Sequence, residues 1–127
     1  CRGNHASSWL FSGGYEPIAE ELFSTNYDGF FLEYDSDRAG DFTPLRHWNN
    51  KESKVVLGLV TSKFPDLEDT EKIKERIKEA QQFVPLENLS ISPQCGFAST
   101  EEGNHLTEEE QWKKIQLLQQ VAKEVWL

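Results

Sequence analysis

Residues 55–60, Val55-Val56-Leu57-Gly58-Leu59-Val60, are the stretch of sequence that decides the fold of this chain. Their apolar side chains are continuous rather than alternating, which is typical of a strand covered on both faces, as in a parallel sheet. Neighbouring parallel strands must be joined by a long crossover, which is usually a helix. The stretch therefore predicts that strands and helices alternate on either side of it.

The surrounding sequence follows this alternation. Residues 30–34 form an apolar run after a turn containing Gly29 and predict a strand. Residues 89–92 predict a short strand after the central one. Residues 2–14 are rich in Gly, Ser and Asn, and we expect them to form a loop.

Three other stretches predict helices. Pro17, which suits the first turn of a helix, precedes one amphipathic stretch. Asp69 or Thr70 can cap a second helix, which Pro85 stops. Residues 107–110 form a capping box and predict a third helix that runs to the end of the chain. We expect the inner face of this last helix to consist of Trp112, Ile115, Leu118, Ala122 and Val125.

Parallel strands that alternate with helices fit both an open doubly wound sheet and a (β/α)8 barrel. No Gly-rich nucleotide loop of the G-x-G-x-x-G kind joins a strand to a helix, which disfavours a dinucleotide-binding sheet. A complete barrel needs roughly 250 residues, whereas this chain has 127. We therefore predict an α/β fold in which residues 1–127 form the C-terminal part, about three β/α units, of a single (β/α)8 TIM barrel. Because the chain starts with Cys and contains no Met, we expect a piece of a longer polypeptide, with a processed mature chain as the alternative.

The composition excludes several classes of protein. Hydrophobic residues make up 37% of the chain, enough for an ordinary core. The formal net charge of −9 disfavours a nucleic-acid partner, and there is no apolar stretch of roughly 18 residues that would predict a membrane span. Two cysteines do not make a disulfide framework. We expect a reducing cytoplasm with both thiols free or metal-bound; a disulfide between Cys1 and Cys95 is the alternative.

The two cysteines and one glutamate suggest a metal site. Ligand sites of parallel β/α folds form at the C-terminal ends of the strands. Glu33 lies at the end of the strand predicted over residues 30–34, and Cys95 follows the strand predicted over residues 89–92. Cys1 fits the same place if a strand ends just upstream. Thiolate and carboxylate ligands suit zinc, although a buried Cys is often only a small core residue and Glu33 could instead pair with Arg38.

Five stretches carry a family resemblance: Cys1-Arg2-Gly3-Asn4-His5, Phe31-Leu32-Glu33-Tyr34-Asp35, Arg38-Ala39-Gly40-Asp41-Phe42, Val56-Leu57-Gly58-Leu59-Val60 and Ser92-Pro93-Gln94-Cys95-Gly96-Phe97. Together, in this order and over essentially the whole chain, they resemble the cobalamin-independent methionine synthases. The similarity is greatest to the short, single-barrel homologues of the C-terminal catalytic domain of that family.

The resemblance implies a zinc ion at the mouth of a barrel, held by a His-x-Cys pair, a Glu and a second Cys. Cys1 resembles the Cys of the pair, Glu33 the carboxylate ligand and Cys95 the distal thiolate. The His of the pair would lie two residues upstream of Cys1. His5 does not replace it, because it lies on the wrong side of the Cys.

The activity implied by the resemblance is that of a 5-methyltetrahydropteroyltriglutamate–homocysteine S-methyltransferase in methionine biosynthesis. Zinc would keep the thiol of homocysteine deprotonated, and the thiolate would take a methyl group from a reduced folate. The donor nitrogen is a poor leaving group and needs a proton. Long family members carry a His-Ser-Pro sequence where this chain has Lys63-Phe64-Pro65. Lys63 is therefore a candidate acid or anion-binding group, with an exposed surface lysine as the alternative.

Further charged and aromatic residues are candidates for substrate contacts, and other functions fit the same sequence. Asp35 and Arg38 could contact substrate or orient Glu33, or could be solvated loop charges. Trp9, Trp48 and Phe97 fit packing better than stacking on a folate. The same zinc barrel could transfer an alkyl group to or from another small thiol, and a metal-free barrel resembling uroporphyrinogen decarboxylase would leave the two cysteines and Glu33 without a role. A non-catalytic module that binds a partner is the alternative from a different class.

Overall fold

Eight helices and strands follow one another along residues 2–127, the part of the chain that the computed structural model describes. They are β1 (Asn4–His5), β2 (Ser8–Trp9), α1 (Ala19–Ser24), β3 (Gly29–Glu33), β4 (Lys54–Val60), α2 (Thr70–Ala80), β5 (Leu89–Pro93) and α3 (Glu108–Trp126). Short 3-10 turns lie before α1, between β3 and β4, and before β5. None of the helices within residues 2–127 has the length and apolar character needed to cross a membrane.

The three longer strands form one parallel sheet in the order β3-β4-β5. Val55 of β4 lies opposite Phe30 of β3 and Leu89 of β5. Every residue of β4 after Lys54 is buried, as its continuous apolar sequence predicts. The predicted parallel strands are thereby confirmed, and their C-terminal ends lie at one edge of the sheet.

The helices α2 and α3 begin where their capping residues predict. The Asp69 carboxylate accepts a hydrogen bond of 2.9 Å from the backbone N–H of Glu71 at the start of α2. Thr107 and Glu110 form the predicted capping box of α3. α2 ends at Ala80, earlier than the sequence predicted, and a turn leads on to Pro85.

The inner face of α3 differs from its prediction. Trp112 is 58% exposed, whereas Lys114, Leu118 and Val121 are buried. Lys114 can lie inside because its apolar stem covers the core while its ammonium reaches both carboxylate oxygens of Glu68, at 3.0 and 3.1 Å. The buried face is therefore rotated relative to the apolar stripe of the sequence.

A small hairpin lies over the C-terminal edge of the sheet, where the sequence predicted only a loop. β1 pairs with β2 in antiparallel fashion, and Ala6 and Ser7 form the two-residue turn between them. Both have positive φ, 44° and 66°, which is the conformation of tight hairpin turns and is costly for residues other than Gly. Ser7 Oγ donates to the carbonyl of Lys63 at 2.6 Å and accepts from the N–H of His105 at 3.0 Å. These two bonds hold the turn against the loops that follow β4 and β5.

Candidate functional site

The ends of the three parallel strands bring three polar side chains together. Glu33 is the last residue of β3, Gln94 directly follows β5, and Lys63 lies three residues beyond β4. Gln94 Nε2 donates to Glu33 Oε2 at 2.9 Å, and Lys63 Nζ donates to Gln94 Oε1 at 3.0 Å. The candidate site is thus built where parallel β/α folds place their ligands.

Glu33 is buried among positive charges. Arg38 Nε donates to Glu33 Oε1 at 2.7 Å, and both side chains are almost completely buried. Nη1 of Arg2 lies 3.9 Å from the same oxygen. Burial alone would raise the pKa of Glu33, but the hydrogen bond from Arg38 and the charges of Arg38, Lys63 and Arg2 outweigh it and lower the pKa below its usual value. Glu33 is therefore a carboxylate at neutral pH, and its suggested pairing with Arg38 is confirmed.

Arg38 connects Glu33 to the hairpin. Its Nη1 donates to the carbonyl oxygens of Gly3 and Phe11, each at 3.1 Å. Its guanidinium carbon lies 5.1 Å from the centre of the Trp9 ring, within the range of a cation–π contact. The interpretation of Arg38 as a solvated loop charge is wrong, because these contacts enclose it.

Lys63 is buried, so its interpretation as a surface lysine is wrong. Only 1% of the residue is exposed, and its ammonium lies 2.7 Å from Asp35 Oδ2. The Asp35 side chain is equally buried, so it is not a solvated loop charge either. The physical reason is that the ends of the neighbouring strands supply partners for the ammonium, Asp35 after β3 and Gln94 after β5, while the backbone carbonyl accepts from Ser7 of the hairpin. Nothing in the local sequence around Lys63 signals this burial.

Cys95 lies just beyond the end of β5. It follows Gln94, whose backbone N–H donates to the carbonyl of Val60 at 2.8 Å, and it is half-buried. The backbone of Gln94 can lie this close to β4 because residue 58 is a glycine. A Cβ at that position would lie 2.9 Å from the carbonyl oxygen of Leu32 and 3.1 Å from the Cα of Gln94. The thiol is not in a disulfide with any residue of the described part of the chain.

The structure describes two of the three predicted metal ligands. Cys1 lies outside the described residues. Among residues 2–127, no group of three or more His, Cys, Asp or Glu side chains is placed to hold a metal ion. Glu33 and Cys95 are the two predicted donors that the described part of the chain contains. The metal site stays a prediction that these two residues alone do not test.

Three members of the cluster were missed by sequence reasoning. Gln94 bridges Glu33 and Lys63, Arg2 adds a cation near Glu33, and the hydroxyl oxygen of Tyr15 accepts the N–H of Glu33 at 2.6 Å. In the sequence, Gln94 directly precedes Cys95 and Arg2 directly follows Cys1, within stretches that carry the family resemblance. That sequence position is the one signal pointing to these two residues. Trp48 is buried, as the packing interpretation predicts, whereas Trp9 is half exposed.

The chain matches a known protein family and two curated relatives. The family described as "Cobalamin-independent synthase, Catalytic domain" matches residues 14–124. The uncharacterized proteins YxjH and YxjG of Bacillus subtilis (strain 168) are 55% and 54% identical to it over 127 residues. Each alignment covers 99% of this chain and 34% of the relative. The chain thus spans about a third of the length of these relatives.

Two solved structures resemble the chain. The first, from Listeria monocytogenes and provisionally designated a vitamin-B12-independent methionine synthase, is 46% identical, with a TM-score of 0.74 over 91% of this chain and 33% of that protein. The second, a B12-independent methionine synthase from Shewanella sp. W3-18-1 in complex with selenomethionine, is 22% identical, with a TM-score of 0.72 over 87% of this chain and 30% of that protein. At that identity the second likeness concerns the fold alone. Together they confirm the predicted fold class, an α/β part of a barrel.

Proposed function

The chain belongs to the cobalamin-independent methionine synthase family, by its catalytic domain, and from this premise we propose that it forms part of a methyltransferase that methylates the thiol of homocysteine to give methionine. The observation that carries the proposal is the convergence of an ionised Glu33, Gln94 and Lys63 at the C-terminal ends of parallel strands, with Cys95 the next residue after Gln94. A carboxylate and a thiol at this edge are what thiol activation at a barrel mouth requires.

We further propose that residues 1–127 are the C-terminal portion of a single barrel. The chain spans about a third of its relatives, and three parallel strands are fewer than a closed barrel contains. β3 and β5 each have one unpaired side in the described part of the chain, where further strands would pair. We call this chain, joined to the upstream strands proposed for it, the complete protein.

Zinc is the cofactor that we propose, and the donors present fit it. Arg38 and Gln94 each donate one hydrogen bond to a different oxygen of Glu33. Because a carboxylate has about four lone-pair sites, Glu33 keeps lone pairs that could bind a metal ion. Cys95 supplies a thiol, and a carboxylate with thiolates is a donor set that zinc accepts. Cys1 and an upstream His would complete the set, as the family resemblance implies. When bound, zinc would lower the pKa of the acceptor thiol and keep it nucleophilic near neutral pH.

The residues of the cluster would orient the reactants and supply charge. As the sulfur–methyl bond forms, the nitrogen–methyl bond of the donor, which we propose is of the 5-methyltetrahydrofolate type, breaks, and its electron pair goes to nitrogen with a proton. Asp35 and Gln94 accept two of the three ammonium protons of Lys63, so we propose that the third serves the donor. Asp35 Oδ1 and Arg38 Nη2 are buried with no partner within residues 2–127, and we propose them as contacts for the polar groups of the substrates.

The experiment that tests this function compares Cys95→Ser with wild type in the complete protein. Zinc per chain is measured by elemental analysis, and methyl transfer to homocysteine is measured with a methylated reduced folate. We expect about one zinc per wild-type chain by the ligand count of a catalytic zinc site, and loss of both zinc and turnover in Cys95→Ser with an unchanged circular dichroism spectrum. Ser92→Ala, in the same segment but outside the proposed ligand set, is the matched control and should keep both.

Turnover by a zinc-free Cys95→Ser protein would contradict the proposed mechanism. A freshly reduced wild-type protein without zinc would favour the metal-free decarboxylase alternative. Zinc with no activity toward homocysteine would favour another small thiol as the acceptor. The cytoplasmic location stays a prediction that rests on the small number of cysteines.

A further inference from the structure

The side chain of Gln94 separates two groups of opposite charge. Its amide nitrogen donates to Glu33 Oε2 at 2.9 Å, and its amide oxygen accepts from Lys63 Nζ at 3.0 Å. The amide oxygen also lies 3.4 Å from the hydroxyl of Ser62. Rotating the amide by 180° would turn its N–H groups toward the ammonium and its oxygen toward the carboxylate, which removes both bonds. The amide therefore has one favourable orientation.

The backbone fixes the place from which this side chain reaches out. The N–H of Gln94 donates to the carbonyl of Val60 at 2.8 Å, which joins the end of β5 to the end of β4. The Cα of Gln94 lies so close to Gly58 that a Cβ there would be 3.1 Å away. The backbone of Gln94 is thus held against the central strand, which fixes the point from which its side chain extends toward Glu33 and Lys63.

A neutral amide at this place keeps two ion pairs apart. Arg38 holds one oxygen of Glu33 at 2.7 Å, and Asp35 holds Lys63 at 2.7 Å. Without the amide between them, the ammonium of Lys63 and the carboxylate of Glu33 would attract each other strongly in this buried place. Lys63 would then bond to the second oxygen of Glu33, and Asp35 would lose its cation.

We propose that Gln94 is a positioning residue, which sets the orientation of the Glu33 carboxylate and holds Lys63 on Asp35. This inference rests on the function proposed above and adds to it a residue that need not touch substrate. An apolar residue at this place would lose both hydrogen bonds. A glutamate of the same size would keep the bond from Lys63 and would set a second negative charge against Glu33. The amide is the group that serves both neighbours.

The test uses Gln94→Leu and Gln94→Glu in the complete protein, with Gln116→Glu on the exposed side of α3 as the control for an added charge. The measurements are zinc affinity by competition with a chelator, kcat and KM for homocysteine methylation, and thermal unfolding. Mutation of a residue that orients a metal ligand typically lowers metal affinity or activity by about 10–100-fold. We expect a loss of that size in zinc affinity and in kcat for both variants, with KM for homocysteine close to wild type and both proteins still folded at the assay temperature. Gln116→Glu should match wild type in every measurement.

The outcomes separate this inference from the proposed function. A wild-type protein with neither zinc nor methyl transfer overturns both. An active, zinc-bearing wild type whose Gln94 variants keep wild-type zinc affinity and kcat overturns the positioning role alone. If thermal unfolding shows that both variants are largely unfolded at the assay temperature, Gln94 has a purely structural role, and this result too overturns the inference.

Discussion

Replacing Lys63 by Met is the sharpest test of the buried charge cluster. Methionine keeps most of the side-chain volume and removes the ammonium. Asp35 would then lose its partner at 2.7 Å in a place where both side chains are 1% exposed. The other oxygen of Asp35 already has no partner within residues 2–127, so no second bond compensates for the loss.

The expected effect is large because the remaining carboxylate is buried and uncompensated. Removing one member of a buried ion pair costs about 3–5 kcal/mol, and we expect the free energy of unfolding to fall by about 4 kcal/mol on this basis. The total stability of a typical domain is about 5–15 kcal/mol. The variant should therefore lose a considerable fraction of the stability of the complete protein, and the loss does not depend on any catalytic role for Lys63.

Urea unfolding followed by tryptophan fluorescence measures this loss. Lys113→Met is the matched control, because Lys113 pairs with Glu109 at 2.9 Å but the two side chains are 52% and 79% exposed. Exposed pairs spaced like this one contribute about 0.3–0.5 kcal/mol. The double variant Lys63→Met with Asp35→Asn removes both charges, and we expect it to recover most of the lost stability.

The two single variants decide the matter together. If Lys63→Met and Lys113→Met lose the same small amount of stability, below about 1 kcal/mol, Lys63 is not in a buried ion pair and the reasoning fails. If Lys63→Met does not fold, the double variant carries the test: its failure to recover would show that volume or backbone contacts, and not the charge of Asp35, account for the loss.

Two further predictions concern the same edge of the sheet. Gly58→Ala would place its Cβ 2.9 Å from the backbone oxygen of Leu32, and because backbone cannot rotate away we expect a loss of about 1–3 kcal/mol in urea unfolding; Gly96→Ala, whose Cβ would meet nothing within 4 Å, should lose far less, and equal losses would contradict the argument. Burial penalises the phenolate of Tyr34 and raises its pKa, so stability is unaffected by this group below about pH 10 and falls as the pH rises from there toward the raised pKa. We expect Tyr34→Phe to reduce the fall in stability between about pH 9 and 11, and a variant with the wild-type pH dependence would refute this.

The strands were predictable because their signals are local. The continuous apolar residues of β4 require a strand covered on both faces, and Thr107 with Glu110 marks the start of α3 before any tertiary contact is known. The inner face of α3 was not predictable to the same degree. Hydrophobicity alone assigns a lysine to the outside, whereas the long stem of Lys114 lets it take an inner position and send its charge to Glu68.

The candidate site shows the same division. Glu33 and Cys95 could be placed at strand ends because period and strand length locate those ends. The burial of Lys63 could not be inferred, because its partners are distant in sequence: its ammonium bonds to Asp35 and Gln94, 28 and 31 positions away, and its carbonyl accepts from Ser7, 56 positions away. Gln94 was missed for a related reason: an uncharged amide gives no sign of its role until both of its neighbours are known.

The turn at Ala6 and Ser7 has a consequence for the order in which this molecule assembles. The left-handed backbone of two residues other than glycine makes an isolated hairpin of this length unfavourable. Its stabilising bonds reach Lys63 and His105, 56 and 98 positions along the chain, and such distant closures come late because chain entropy opposes them until the rest is in place. The hairpin should thus be the last piece to dock and the first to detach. While the hairpin is detached, the cluster beneath it would be open to solvent. The backbone amide protons of the hairpin would exchange with heavy water well before those of β4.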